Sequence, residues 1–356
     1  MDEAHVGQHY AIWMEEKGLK NWRDYFRKPT GHAERQRHKW LLPEEYHYDA
    51  WIAERTLAQL ENYKETGEKF FLWSSFFDPH PEYLVPEPWD TMYDPKRLTV
   101  PSVVPGEHDD SPPHLQLTQT AEPDFSMWRE SGKCLHGFHS HLHDRDRLAK
   151  DIAVYYGMIS LMDKYIGKIL DGLHRLGLEE DTLVVFTTDH GHFFGQHGLI
   201  AKGAFHYEDM IRVPMISRLP GVIPAGRTCS ALQSLVDLAP TFLSFAGIEK
   251  PRSMTRVVQK PVWIGEIGSI RDHVIVENRH EPTTIHVKTY VDDRYKLTVY
   301  YNQEYGELYD LQEDPGELHN LWSDPDARDL RTSLMMKLLF AEMGKEPLWM
   351  PRIADA

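Results

Sequence analysis

Apolar residues at Ile152, Tyr155, Ile159, Met162, Ile166, Ile169, Leu173 and Leu176 recur every three or four positions. That spacing lines one face of an α-helix, and Gly177 supplies its stop. Two other apolar runs lack this period. Phe70-Phe-Leu-Trp-Ser-Ser-Phe76 follows a helix predicted to run from Asp49, as its cap, through Trp51, Ile52, Leu57 and Leu60 to Gly67. Thr182-Leu-Val-Val-Phe-Thr-Thr188 follows the first-named helix. A helix leading into a near-continuous apolar strand is the mark of an α/β fold, and a strand with no polar side suits a mixed or parallel sheet flanked by helices on both faces.

Elsewhere the pattern is weaker. A short amphipathic helix is expected around Ala11–Lys17, then a polar connection rich in His and Arg from Arg27 to Tyr48. From Asp78 to about Asp124 prolines crowd the chain and forbid regular ladders, so this stretch reads as a long loop, the usual place for a lid or binding wall. Arg212–Ser217 reads as a short strand, and Asp237 as the cap of a helix reaching Gly247. Past about residue 270 the period changes to alternation, with strands at His273–Glu277, Ile285–Val291 and Tyr295–Tyr301 and a last helix near Leu330–Met343. The expected organisation is an α/β domain over residues 1–265, then a small C-terminal antiparallel sheet plus helix over 266–356.

With 356 residues and 41% hydrophobic content the chain can bury a sizeable core. Its net charge of −16, with no dense basic stretch, argues against a nucleic-acid partner. An acidic body repels anions at long range, so a site for an anionic substrate must concentrate positive charge locally. Only Cys134 and Cys229 are present, too few for a disulfide framework, and neither has a local pattern of activation. The opening residues carry charges throughout and resemble no secretory signal, and no apolar run is long enough to span a bilayer. A soluble chain is expected, cytoplasmic by default, or periplasmic or secreted if a leader precedes it.

Candidate chemistry falls where two predicted strands end, the place at which open α/β sheets bind ligands: Asp78-Pro-His80 after the first and Asp189-His190-Gly191 after the second. An aspartate next to a neutral nitrogen donor, with glycine behind it, can hold a cation; a strand-end turn capped by Asp189 accounts for the same residues. Lys202, in Ala-Lys-Gly-Ala, is either an ammonium open to an oxyanion or a solvated surface lysine, and His80 is either a site residue or a loop histidine. His139, His141 and His143 alternate in a way that could bind zinc, but no cysteine or second cluster joins them and a solvated loop is the favoured reading; Glu107-His-Asp-Asp110 calls for the same caution. No G-x-S-x-G nucleophile elbow occurs.

Taken in order, Phe186-Thr-Thr-Asp-His-Gly191, His197-Gly-Leu-Ile-Ala-Lys-Gly203 and Ile211-Arg-Val-Pro-Met-Ile216 resemble the sulfatase family of the alkaline phosphatase superfamily. Ser75-Phe-Phe-Asp-Pro-His-Pro81 upstream, and Ser234-Leu-Val-Asp-Leu-Ala-Pro-Thr241 and Glu307–Leu321 downstream, extend the likeness over most of the chain past residue 50. The resemblance implies an alkaline-phosphatase-like fold and a sulfuric ester hydrolase. It implies that Asp189 and His190 ligate a divalent cation, usually Ca2+, with His190 where many relatives carry Asn. Lys202 would contact the sulfate, and His80 would bind it or protonate the leaving alcohol. His192 and Gln196 depart from the family's acidic residues in D-H-G-E-x-x-G-D-H-G.

A larger departure is that the motif whose cysteine becomes formylglycine, Cys-x-Pro/Ser/Ala-x-Arg, is absent, as is the paired-Asp metal site of the family's first strand. The expectation is an N-terminally truncated sequence without sulfatase activity of its own, or else a degenerate relative. The expected ligand is a small-molecule or carbohydrate sulfate ester, with choline, aryl and sugar esters all open. Alternatives are a phosphonate monoester or phosphodiester hydrolase of the same superfamily, and a non-catalytic protein that binds a sulfated ligand.

Overall fold

The computed structural model describes residues 8–22, 39–130, 132, 138–140, 144–279 and 284–345. The chain falls into two compact units, Met1–Val100 with His143–Thr182, and Pro101–Leu142 with Leu183–Ala356.

The first unit is helical. Its longest element, Arg145–Arg175, contains the predicted apolar stripe and begins one turn and more ahead of it, because Asp144 caps it by accepting the Asp146 amide at 2.8 Å. Its end is the predicted one: Gly177 is left-handed (φ 63°) and Leu178 N–H reaches back to the Leu173 carbonyl. The helix Tyr48–Thr66 packs on it so closely that a Cβ at Gly172 would lie 2.2 Å from Leu57 Cδ2. Asp49 is not the cap of this second helix. His47 holds that position with extended backbone, and its Nδ1 accepts the Asp49 amide, leaving Asp49 inside the first turn. A short helix, Gln8–Glu16, buries Tyr10, Trp13 and Met14 against Trp22, Trp40, Leu42, Tyr48 and Leu84. Phe70–Phe76, expected as a strand, runs without a ladder among the described residues, and Phe71 and Trp73 are 67% and 70% exposed. An apolar run signals extended backbone but does not name its neighbour.

Among its described residues the second unit carries three small sheets. Val184–Thr187 pairs antiparallel with Met215–Arg218. Phe193–Phe194 pairs antiparallel with Leu199–Ala201, which also receives Phe138–Ser140 on its other edge. The C-terminal sheet is a four-stranded antiparallel meander, Val274–Arg279, His286–Val291, Tyr295–Tyr300 and Gly306–Asp310, one strand more than the alternation predicted. The helix Arg328–Met343 lays Leu334 and Leu338 on Tyr290, Leu297 and Leu308. A second core joins Leu115, Phe125 and Trp128 to Phe193, Leu199, Phe205 and Tyr207, and to Ile285, Val287, Tyr300 and Tyr309 from the meander.

Asp237 precedes the helix Leu238–Phe245 but caps nothing with its side chain. Its carboxylate instead takes a two-point bond from Arg271, Nη2 to Oδ1 at 2.5 Å and Nε to Oδ2 at 2.6 Å, and a further bond from Gln259. A guanidinium fork outcompetes a helix amide for a buried carboxylate because charge and two parallel bonds act together.

Candidate functional site

The segment after Val184–Thr187 turns sharply and forms a tight hairpin. Phe193 stands opposite Ala201 and Phe194 opposite Ile200, with a turn at Gln196–Gly198 closing the far end. The open end therefore sets Asp189–Gly191 beside Lys202. Lys202 Nζ lies 3.3 Å from His190 Nε2, and Asp189 Oδ2 lies 3.4 Å from the same nitrogen. His190 Nδ1 pairs with the Gly191 carbonyl at 2.8 Å, so Nδ1 carries the proton and Nε2 presents its lone pair to Lys202 and Asp189. Asp189 Oδ1 accepts its neighbour's amide at 2.9 Å, and its side chain is 80% exposed. Gly191 is required here: its N–H bonds the Met210 carbonyl at 2.7 Å, and a Cβ would sit 1.8 Å from the Asp209 carbonyl oxygen.

Three of the four sequence-predicted site residues thus share one corner of the second unit. One ammonium, one lone-pair nitrogen and one open carboxylate suit a divalent cation with an oxyanion beside it, because the donor set is hard oxygen plus imidazole and Oδ2 and Nε2 are close enough to share one ion. His80 belongs to the first unit. It is exposed, its amide bonds the Phe77 carbonyl at 3.1 Å, its ring lies 4.9 Å from that of Phe77, and Nδ1 faces the Pro81 carbonyl.

Sequence reasoning missed a second cluster. Among the described residues, His47, Asp49 and Asp78 form a buried group with ligand atoms all within 4.8 Å of one another. Burial holds His47 neutral, lowering it to about 3, and raises Asp49 to about 7; burial and the adjacent Asp49 charge push Asp78 well above the usual carboxylate range. Tyr48 donates its hydroxyl to Asp78 Oδ1. His47-Tyr-Asp49 was the available signal, read only as the start of a helix.

Of the remaining candidates, the His139–His143 cluster and Cys134 lie outside the described side chains, and Cys229 is an exposed free thiol. Glu107 is strapped inside the second unit. Burial works against its charge, yet His108 at 3.2 Å, the Val104 amide and His197 hold its carboxyl below the usual range. No described helix is long and apolar enough to cross a membrane.

The family described as Sulfatase matches residues 3–248, and that described as N-sulphoglucosamine sulphohydrolase, C-terminal, matches residues 195–343. An N-acetylglucosamine-6-O-sulfatase of Bacteroides thetaiotaomicron is 37% identical over 191 residues, 52% of this chain and 33% of that protein. In structure, a phosphonate monoester hydrolase from Silicibacter pomeroyi superposes with a TM-score of 0.77 at 22% identity, covering 97% of this chain and 70% of that one. BT4656, solved in complex with D-glucosamine-2-N,6-O-disulfate, gives 0.64 at 23% identity, covering 84% and 70%. These two likenesses establish a shared fold. The chain spans between 33% and 60% of the length of several curated relatives that it matches. With its family pattern running from residue 3 to residue 248, this chain belongs to the sulfatase family.

Proposed function

We propose that this chain carries the cation- and oxyanion-binding corner of a sulfuric ester hydrolase that acts on a sulfated sugar. The observation that carries the reading is the Asp189–His190–Lys202 corner, where Nε2 of His190 stands 3.3 Å from an ammonium and 3.4 Å from a carboxylate oxygen. Asp189 and His190 would hold a divalent cation of the calcium class, which when bound supplies positive charge to the nonbridging sulfate oxygens. The Nε2 lone pair that accepts from Lys202 is the one a cation takes, and the Lys202 ammonium beside it binds a sulfate oxygen. His80 binds the sulfate or gives a proton to the leaving alcohol. The acidic surface makes this local charge necessary, since a net −16 otherwise repels the ester.

The family's formylglycine does not fit these 356 residues, because Cys229-Ser-Ala-Leu-Gln233 has glutamine where the motif needs arginine and Cys134-Leu-His-Gly-Phe138 departs further. No nucleophilic step is assigned to this chain. Sugar sulfate as the ligand class rests on the names of the Bacteroides relative and of the disulfate complex.

Calorimetric titration with D-glucosamine 6-O-sulfate tests the reading. Binding should require Ca2+, weaken roughly tenfold or more in Lys202→Ala, and lose its Ca2+ dependence in Asp189→Asn. Binding that is indifferent to Ca2+ and to both changes sinks it. Tighter binding of phenylphosphonate than of the sugar sulfate would replace it with the phosphonate-hydrolase reading.

A further inference from the structure

The geometry points to a second, closed metal site at His47, Asp49 and Asp78, built for a small divalent transition ion of the Zn2+ type. All three side chains are inside the first unit: His47 and Asp49 are fully buried and Asp78 is 5% exposed. Both carboxylate oxygens of Asp49 and Oδ2 of Asp78 are buried without a hydrogen-bond partner. Such oxygens are costly to leave bare, and no ion pair with Lys or Arg compensates them among the described residues. Something positive belongs between them.

The histidine is already oriented for that ion. Its Nε2–H donates to the Leu84 carbonyl at 3.2 Å, which fixes the tautomer and turns the Nδ1 lone pair toward the carboxylates; ligating histidines usually have such a carbonyl behind them. The competing bond on Nδ1 is a long one, 3.3 Å from the Asp49 amide. Nδ1 and Asp49 Oδ2 are 3.8 Å apart. Two ligands bound tetrahedrally at about 2.0–2.1 Å stand about 3.4 Å from each other, so a few tenths of an ångström of closure seats the ion. Calcium is excluded by number: it takes about six to eight oxygens, and this pocket offers one imidazole and two carboxylates, with the Tyr48 hydroxyl on Asp78 the nearest further donor. With three protein ligands, a four-coordinate ion takes its fourth from the Tyr48 hydroxyl or an enclosed water, and burial of every ligand closes that position to substrate, which makes the metal structural in role. Bound there, the ion ties the start of the Tyr48–Thr66 helix to the loop that carries His80, two residues beyond Asp78.

The rival occupant is a single proton shared by the two carboxyl groups, and the experiment separates them. Chelator-treated full chain is titrated with Co2+ alone. One equivalent should bind with the strong visible absorption of a four-coordinate ion, be displaced by Zn2+, and give a paramagnetically shifted imidazole N–H resonance from His47. Asp49→Asn and Asp78→Asn should each weaken binding by roughly a hundredfold or more, while Asp189→Asn leaves it unchanged. Because the first two variants could fail to fold, the wild-type spectrum and the shifted resonance decide on their own. Weak absorption of a six-coordinate ion, binding well below one equivalent, or loss of the signal in Asp189→Asn overturns the assignment, and the first two of these results favour the shared proton.

Discussion

Replacing His114 with leucine should make the second unit more resistant to acid, by an amount the structure lets one calculate. His114 is fully buried and neither ring nitrogen has a hydrogen-bond partner. It is enclosed by Trp128, Phe205, Tyr300 and Tyr305, with ring centroids 4.9–6.2 Å away. Burial lowers it from the ordinary 6.5 to about 3. The folded form thus refuses a proton that the unfolded chain accepts, so stability falls as pH drops below about 6.5 and continues to fall until about 3. From pH 7 to pH 5 the loss is about 2 kcal/mol, nearly 1.4 kcal/mol for each pH unit below 6.5.

Leucine has no proton to refuse. Lost ring contacts and the removal of two unsatisfied nitrogens shift its stability at any one pH in opposite directions, but both are nearly independent of pH and cancel in the comparison. Hydrogen exchange of the Tyr295–Tyr300 amides reads the opening free energy of this unit directly. The variant's advantage over wild type should grow by about 2 kcal/mol between pH 7 and pH 5. An advantage equal at the two pH values would show that His114 is not held neutral by burial.

Three further outcomes are expected. Gly191→Ala should cost roughly 3 kcal/mol in chemical unfolding and abolish sugar-sulfate binding, since its Cβ would collide with the Asp209 carbonyl at 1.8 Å. Lys296→Met should cost about 3–5 kcal/mol by leaving the buried Glu317 with the Glu208 amide but no ammonium partner; adding Glu317→Gln should recover most of the loss in a double-mutant cycle, and additive losses would refute the pairing. Arg271→Lys should lower stability by about 1.5–3 kcal/mol, read by thermal unfolding, because an ammonium cannot reproduce the two bonds to Asp237.

What could be read from the residues was local. The long helix Arg145–Arg175 announces itself through a stripe whose members are neighbours along the chain, and Gly177 ends it for a steric reason internal to one residue. The cap of the next helix was misplaced because aspartate is the commoner cap, whereas here His47 supplies the acceptor and Asp49 is turned inward. Pairing partners are long-range facts: nothing in Phe70–Phe76 names a neighbour, and Val184–Thr187 finds its ladder on Met215–Arg218 in antiparallel sense. The same distinction holds for chemistry. Asp189, His190 and Lys202 lie on one short hairpin and are legible together, while Asp78 meets His47 and Asp49 only after the intervening helix has folded back.

The hairpin has an evolutionary corollary. The ladder of Phe193–Phe194 against Ile200–Ala201 sets the spacing between His190 and Lys202, and the turn at Gln196–Gly198 pins that ladder in place: the His197 carbonyl accepts from His108, the His197 ring stacks on Tyr207 at 3.7 Å, and a Cβ at Gly198 would meet Gln119 at 2.3 Å. A slip of one residue in that ladder breaks the site, because side chains on a strand alternate and Lys202 would point away from the anion. Insertions at this bend and single-residue deletions inside the two arms should therefore both silence the chemistry without removing any reactive group.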